Sequence, residues 1–264
     1  MPMISKRADY WNEAYSEYWR RRVDETKTDQ LVSSVQAGDR VTEGDEVYFD
    51  IFKAHPLLPG NILDVGCGWG RFFPFFVEQG VRVFGVDISL AMVQMFDQLE
   101  LSGEFITPPL VAEAEYIPFA DCCFDNLACL AVFDATFQNL SFPEFLRVLK
   151  PGGRLYLTGK NANYFEDDTL AFEAELGAAK KGHPNYFTDA KLLIETLVVS
   201  GHHILGQYFF PRRGDFAKQN FHTDLNEEFY EFCIIVEKGR GEMFSLSQPI
   251  SRSESHVRAK QRTQ

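Results

Sequence analysis

Between Leu63 and Phe72 the chain reads LDVGCGWGRF: a short apolar run that delivers Asp64 into three glycines at alternate positions, Gly66, Gly68 and Gly70. Glycine there frees the backbone for left-handed angles and lets its N–H groups come close to a ligand. A loop built for a dinucleotide is spaced GxGxxG, its third glycine allowing the helix to pack closely on the strand. Here the position three after Gly68 is Arg71. A carboxylate just ahead of the glycines also opposes a pyrophosphate and suits a ligand that carries positive charge.

The segments on either side decide the fold class. NILDVG reads as a buried strand, GRFFPFFVEQG as a helix closed by Gly80, and VRVFGVD as the next strand, which together make a βαβ unit. LAMVQMFDQLE is helical, FDNLACLAVF is a strand, and FPEFLRVL is a helix stopped by KPGG ahead of the strand RLYLTG. Strands alternating with helices imply a parallel sheet with right-handed crossovers. Farther on, part of the long connection 160–187 is helical, Thr188 reads as the N-cap of a helix through Ser200, and HHILGQYFF and EFYEFCIIVEKG read as two more strands.

Ahead of this pattern, the aromatics Tyr10, Trp11, Tyr15, Tyr18 and Trp19 fall mostly on one face of a helix from Asp9 to about Thr26. A second helix runs from about Glu43 to Ala54 and is broken by HPLLPG. The expected division is an N-terminal helical cap over 1–58, a main domain over 59–239 and a disordered tail over 240–264. That tail has no periodicity and carries five basic residues, among them Arg240 and Arg262, against Glu242 and Glu254.

Bulk composition narrows the function classes. With 264 residues, 45% of them hydrophobic and 25 of them Phe, the chain has ample apolar volume for one well-filled domain. A formal charge of -12 disfavours a phosphate backbone as partner, so a small molecule is expected and nucleic acid is not. The five cysteines form no CxxC pair and read as free thiols of a reducing compartment; Cys122 and Cys123 read as packing. No apolar leader is visible and no run approaches the ~18 residues of a membrane span, so a cytoplasmic location is expected.

Three further segments give the glycine loop its context: Asp87 at the end of VFGVDIS, the stretch VAEAEYIPFADCCFDNLACL, and FLRVLKPGGRLYLTG. Together with LDVGCGWG, along roughly 61–159, they resemble the class I S-adenosylmethionine-dependent methyltransferase family. The resemblance implies a Rossmann-like, doubly wound α/β sheet of about seven strands, mostly parallel with the last antiparallel, and helices on both faces. It also implies S-adenosyl-L-methionine as cofactor. Asp64, Gly66, Cys67 (through its backbone amide), Gly68 and Gly70 would then surround the methionine and ribose. Asp87 would take the ribose hydroxyls, Ile88 and Met92 would lie against the adenine, and Glu113, with Ala114, stands where the family often has an acid for the adenine amino group.

In this family the segment ahead of the first strand commonly folds over the cofactor, and YWNEAYSEYW resembles such a lid, with Trp11 placed to touch the ligand. Asp134 occupies the position after the fourth strand where a His often stands, and is expected as a base or acceptor anchor. His183, in the loop after the fifth strand, is a second candidate for the acceptor side. His202 and His203 open a strand, so no metal site is expected, and Arg212 and Arg213 read as a surface pair or an anion contact. The resulting expectation is a methyltransferase for a small acceptor, with oxygen favoured slightly because a carboxylate base would serve it. Two other readings stay open: a nicotinamide-dependent oxidoreductase, which Arg71 and Asp64 oppose, and a cofactor-binding regulatory subunit without catalysis.

Overall fold

The computed structural model describes residues 7–17, 45–96 and 105–251, apart from 181, 184, 227, 242, 243 and 245. Tyr18, Trp19 and the rest of the expected first helix lie outside the described residues, as do 97–100 and 252–264. Strand β1 (Asn61–Val65) pairs in parallel with β2 (Arg82–Asp87) on one side and with β4 (Phe124–Cys129) on the other. β3 (Leu110–Val111) extends the sheet beyond β2, and β5 (Leu149–Lys160) extends it beyond β4. β8 (Glu231–Glu237) lies antiparallel to β5, and β7 (His203–Phe210) lies antiparallel to β8, so the order is β3-β2-β1-β4-β5-β8-β7. The expected seven-stranded sheet is present, and its antiparallel member is inserted between β5 and the edge.

Strand alternation sorts the core into two layers, because successive side chains point to opposite faces. Leu63, Val65, Leu127, Cys129, Leu155 and Leu157 meet Phe142 and Phe145 of α5 (Gln138–Val148) and Leu193 and Leu197 of α7 (Ala190–Val199). Ile62, Ala128, Tyr156 and Ile235 meet Phe52 of α2 (Asp45–Ala54) and Phe73 and Phe76 of α3 (Phe73–Glu78). Helices therefore cover both faces, as a largely parallel sheet requires. α2, expected to belong to the cap, is part of this second layer: Val47, Tyr48, Ile51 and Phe52 are all buried in it.

Two boundaries differ from expectation for local reasons. The N-cap of α7 is Asp189, whose carboxylate accepts from the amide of Leu192 at 3.1 Å; the Thr188 hydroxyl instead donates to Gln138 Oε1 at 3.0 Å. Within the stretch expected to be a disordered tail, β9 (Ile250–Ser251) pairs with β6 (Tyr186–Phe187). Phe244 and Leu246 pack against the first core layer. The tail's apolar residues are few, but they are spaced to cover α5 and the β6 segment.

A buried polar residue closes the turn that leads into β1. Asn126, fully buried on β4, accepts from the amide of Leu58 at 2.9 Å and donates to its carbonyl at 2.8 Å, copying a strand partner where no strand exists. Asn126→Ala leaves both groups of Leu58 without a partner, a cost of about 1–3 kcal/mol. At roughly 2–4 °C per kcal/mol for a chain of this size, the midpoint in a thermal melt followed by circular dichroism is expected to fall by several degrees.

Candidate active site

Ligands of open α/β sheets lie outside the carboxyl ends of the strands, at the point where strand order reverses. Here that point lies between β1 and β4, and two adjoining cavities open there. Both are bordered by Trp11 and Ala135.

The first cavity, about 60 Å³, is bounded by the end of β1 and the Gly66 turn, by Asp87 and Ile88 after β2, and by Ala114 and Glu115. Gly66 has φ +74°, and a Cβ there would stand 2.4 Å from Val132 Cγ2, so no side chain fits. The turn is held from below: the amides of Gly66 and Cys67 both donate to the Val86 carbonyl, at 2.8 and 3.2 Å. Asp87 holds it from the side, accepting from the amides of Gly68 and Ser89 at 2.8 Å each. Burial pushes the Asp87 carboxyl upward, and those two amides pull it back. Each of its oxygens accepts one bond from the protein, which leaves lone pairs facing the cavity.

Several expected contacts stand elsewhere. Cys67 spends its amide on Val86, and its side chain is buried against β2. Met92, on α4 (Leu90–Phe96), packs with Met95 and Trp69 behind the glycine turn and does not border the cavity. The carboxylate that does border it is that of Glu115, whereas Glu113 does not. The tight turn that joins the Tyr116 amide to the Glu113 carbonyl separates their side chains.

Asp64 is buried, and its Oδ2 has no hydrogen-bond partner among the described residues. Desolvation raises its pKa to about 7, against the pull of Arg71 and with the repulsion of Asp87. An acid whose folded pKa lies above the unfolded value binds its proton more tightly in the fold. Asp64 therefore opposes folding by an amount that grows as pH climbs from about 4 to about 7 and stays constant above that. A cationic group beside Oδ2 would remove that cost.

The N-terminal helix α1, spanning 7–17 with a π-helical stretch at Trp11–Tyr15, lies over this cavity. Arg7 donates to both oxygens of Glu115, at 2.6 and 2.7 Å, its guanidinium lies over the Phe137 ring at 4.8 Å, and Glu115 also accepts from the Phe137 amide at 2.6 Å. Farther along, Asn12 Oδ1 accepts from Ser89 Oγ at 2.9 Å and from the Ala91 amide at 3.1 Å, which caps the start of α4. The sequence reading missed both anchors, because Arg7 and Glu115 lie 108 positions apart. With Arg7 and Trp11 as its wall, the cavity is far below the ~300 Å³ at which pockets for drug-sized ligands begin.

The second cavity, about 360 Å³, has an aromatic side made by Trp11, Tyr15, Tyr48 and Phe216 and a charged side at the ends of β5 and β8. Asp134, on a single turn after β4 (Phe133–Ala135), pairs with Lys160 Nζ at 3.1 Å; the same ammonium holds Glu175 of α6 (Thr169–Lys180) at 3.0 Å. Those two carboxylates, with the neighbouring Tyr230, hold Lys160 firmly protonated despite its burial. His183 borders the same cavity, edge-on to Tyr10 and Trp11 at 5.1 and 5.0 Å between ring centroids. The structure thus brings Asp134, His183 and Trp11 together, and adds Lys160, Glu175 and Glu231. Of the expected surface pair, Arg212 binds Asp167 at 2.9 Å, while Arg213 borders the cavity.

Residues 63–157 match the methyltransferase-domain family. This stretch, just over a third of the chain, is similar to the class I S-adenosylmethionine-dependent methyltransferases. A curated relative, the ubiquinone/menaquinone biosynthesis C-methyltransferase UbiE of Paraburkholderia xenovorans, is 34% identical over 112 residues, which are 40% of this chain and 46% of that protein. The chain thus spans just under half the length of the curated relatives it matches. Among solved structures, the magnesium protoporphyrin IX methyltransferase of Synechocystis with bound S-adenosylhomocysteine aligns at TM-score 0.60 and 18% identity, covering 89% of this chain and 99% of that one. The geranyl diphosphate C-methyltransferase of Streptomyces coelicolor aligns at 0.62 and 13%, covering 90% and 98%. At these identities the structures establish the fold of the methyltransferase domain.

Breaking a buried ion pair on one side typically costs about 3–5 kcal/mol, because a charge is left behind. In Arg7→Ala the cost is expected to fall on the docking of α1. Hydrogen exchange should show amides of 7–17 opening roughly 100-fold more often or above, at 1.4 kcal/mol per decade, with β1 and β4 unchanged.

Proposed function

We propose that the chain is an S-adenosylmethionine-dependent methyltransferase that modifies a small molecule held in the larger cavity. The observation that carries this reading is the pair of cavities meeting at Trp11 and Ala135. One has the carboxylate and apolar walls a nucleoside needs, and the other has room for an acceptor. S-adenosylmethionine, when bound, supplies an electrophilic methyl group on a sulfonium centre. The chain's own part is to orient, to exclude water and to receive a proton.

The residues fit that cofactor. Asp87 is placed for the ribose hydroxyls, Ile88 and Ala114 flank the space for the adenine, and Trp11 covers it. Asp64, with a buried oxygen that has no partner among the described residues, beside a turn that admits no Cβ, suits an ammonium group. The same acid is unsuited to a pyrophosphate, so the nicotinamide reading gains no support. For the acceptor atom, the relatives named as C-methyltransferases favour an electron-rich carbon over the oxygen favoured from sequence alone.

Calorimetry of the purified chain tests the cofactor. S-adenosylhomocysteine is expected to bind and NAD to give no heat; the reverse would overturn the reading. Asp87→Ala removes a charged hydrogen-bonding partner worth about 1.5–3 kcal/mol, so affinity should fall roughly 10- to 150-fold. Near pH 6 the Asp64 carboxyl carries its proton in the free chain, since its pKa is about 7. Binding an ammonium there ionises it. Affinity for S-adenosylhomocysteine should therefore rise as pH climbs through about 7, with proton release near pH 6 seen as a dependence of the binding heat on buffer ionisation; in Asp64→Asn both effects should vanish.

A further inference from the structure

Three carboxylates, those of Asp134, Glu175 and Glu231, border the larger cavity, and they are not equivalent. Glu175 is saturated: it accepts from Lys160 at 3.0 Å, from the Tyr230 hydroxyl at 2.6 Å and from Asn185 Nδ2. Asp134 is paired with Lys160. The carboxylate of Glu231 makes no hydrogen bond or ion pair among the described residues. It stands at the first position of β8, directly opposite Lys160 in the antiparallel ladder, so the reversed strand brings its starting residue to the edge where the parallel strands end.

We propose that Glu231 is a catalytic residue of this site: its carboxylate accepts a hydrogen bond from a hydroxyl on the aromatic or otherwise unsaturated body of the acceptor and then takes that proton. The proposal rests on the methyltransferase reading and names the acceptor's chemistry within it. In the step, the acceptor's O–H bond breaks and a carboxyl O–H bond forms on Glu231. The electron pair stays on the acceptor oxygen and spreads to the conjugated carbon, which becomes the nucleophile. The proton later leaves to solvent, which restores the carboxylate. The aromatic side of the cavity, Trp11, Tyr15, Tyr48 and Phe216, provides the surface against which such a body lies while its hydroxyl reaches the charged side.

The electrostatics suit the role. Burial raises the Glu231 pKa to about 6, with Asp134 and Glu175 adding to the rise and Lys160 and Arg213 opposing it. Of the remaining charged and titratable groups nearby, Tyr230 immediately precedes it, and Arg71 and His183 border the same cavity. A carboxylate with a pKa near 6 is ionised at neutral pH yet is a stronger base than an exposed one.

Phenol and its methyl ether, anisole, separate this role from mere cavity filling. With protein carrying ¹³C at glutamate carboxyls, the resonance lost in Glu231→Gln identifies the residue, and its titration midpoint is expected near 6. Phenol should move that resonance and anisole should leave it in place. In Glu231→Gln phenol affinity should drop about tenfold, the loss of one hydrogen bond to a charged group, with anisole unchanged. In the wild type phenol affinity should fall as pH drops through about 6, because protonation removes the charged acceptor. Equal response to phenol and anisole, or no effect of phenol at all, overturns the proposal. Calorimetry with S-adenosylhomocysteine on the same samples keeps the two readings apart. If both proteins bind it while phenol ignores Glu231, only the role of Glu231 fails; if neither folded protein binds it, the methyltransferase reading itself fails.

Discussion

At Gly66 the chain leaves β1 with φ +74° and passes within reach of Val132, so closely that even a methyl group would overlap that side chain. The rest of the site follows from this contact. Because the turn hugs the end of β4, no side chain of residue 66 fills the crevice there, and the Gly66 turn forms one side of it. Asp87 then stabilises the turn through the Gly68 amide and, through Ser89, the start of α4. A single carboxylate thus ties the end of β2 to the loop after β1 while keeping lone pairs for a ligand. Pre-organisation of this kind lowers the entropy lost on binding, since the loop is already ordered.

Asn12 extends the same arrangement upward. It caps α4 at the residues that follow Asp87, so α1 is fastened to the element that shapes the nucleoside side of the crevice. The second fastening, between Arg7 and Glu115, is charged, bidentate and nearly dry. Buried pairs of this kind add little net stability compared with apolar packing, but they are specific in geometry. The π-helical stretch that holds Asn12 begins at Trp11, which stands at the border of both cavities. π-Helical turns are rare and recur at functional sites, where one extra residue per turn re-aims a side chain.

Much of this was legible from residue order alone. Strands β1, β2, β4, β5, β7 and β8 announce themselves because each is a short apolar run bounded by glycine, proline or a charged turn, and local patterning of that sort is enough to place them. Gly66, Asp87, Ile88, Asp134 and His183 border the cavities as their positions at or after strand ends suggest, and Trp11 and Ala114, expected from the family resemblance, border them too. What escaped was non-local. No periodicity joins Arg7 to Glu115, or Asn12 to Ala91. That Glu115 borders the cavity and Glu113 does not follows from the turn that joins the Tyr116 amide to the Glu113 carbonyl. β9 is two residues long, too short for any pattern, and its pairing with β6 depends on what both strands pack against.

The charged side of the larger cavity shows why such sites resist reading from sequence and why they still constrain function. Lys160, Asp134 and Glu175 come from β5, the turn after β4 and α6, and each alone reads as an ordinary surface charge. Brought together out of water, Lys160 must be neutralised, and Asp134 and Glu175 do so at 3.1 and 3.0 Å. Arg213 adds a second cation, whose guanidinium donates to the Tyr230 hydroxyl at 3.3 Å. Glu231 is then the third acid in a neighbourhood whose nearest ammonium is already shared by two others. Burial raises its pKa first, and the repulsion of Asp134 and Glu175 adds to the rise against the pull of Lys160 and Arg213; a group in this condition gains most from a partner that brings its own proton. The network around Lys160 thus sets the basicity of its neighbour on β8, and the chemistry available to the cavity depends on how the surrounding charges are paired as much as on which residues line it.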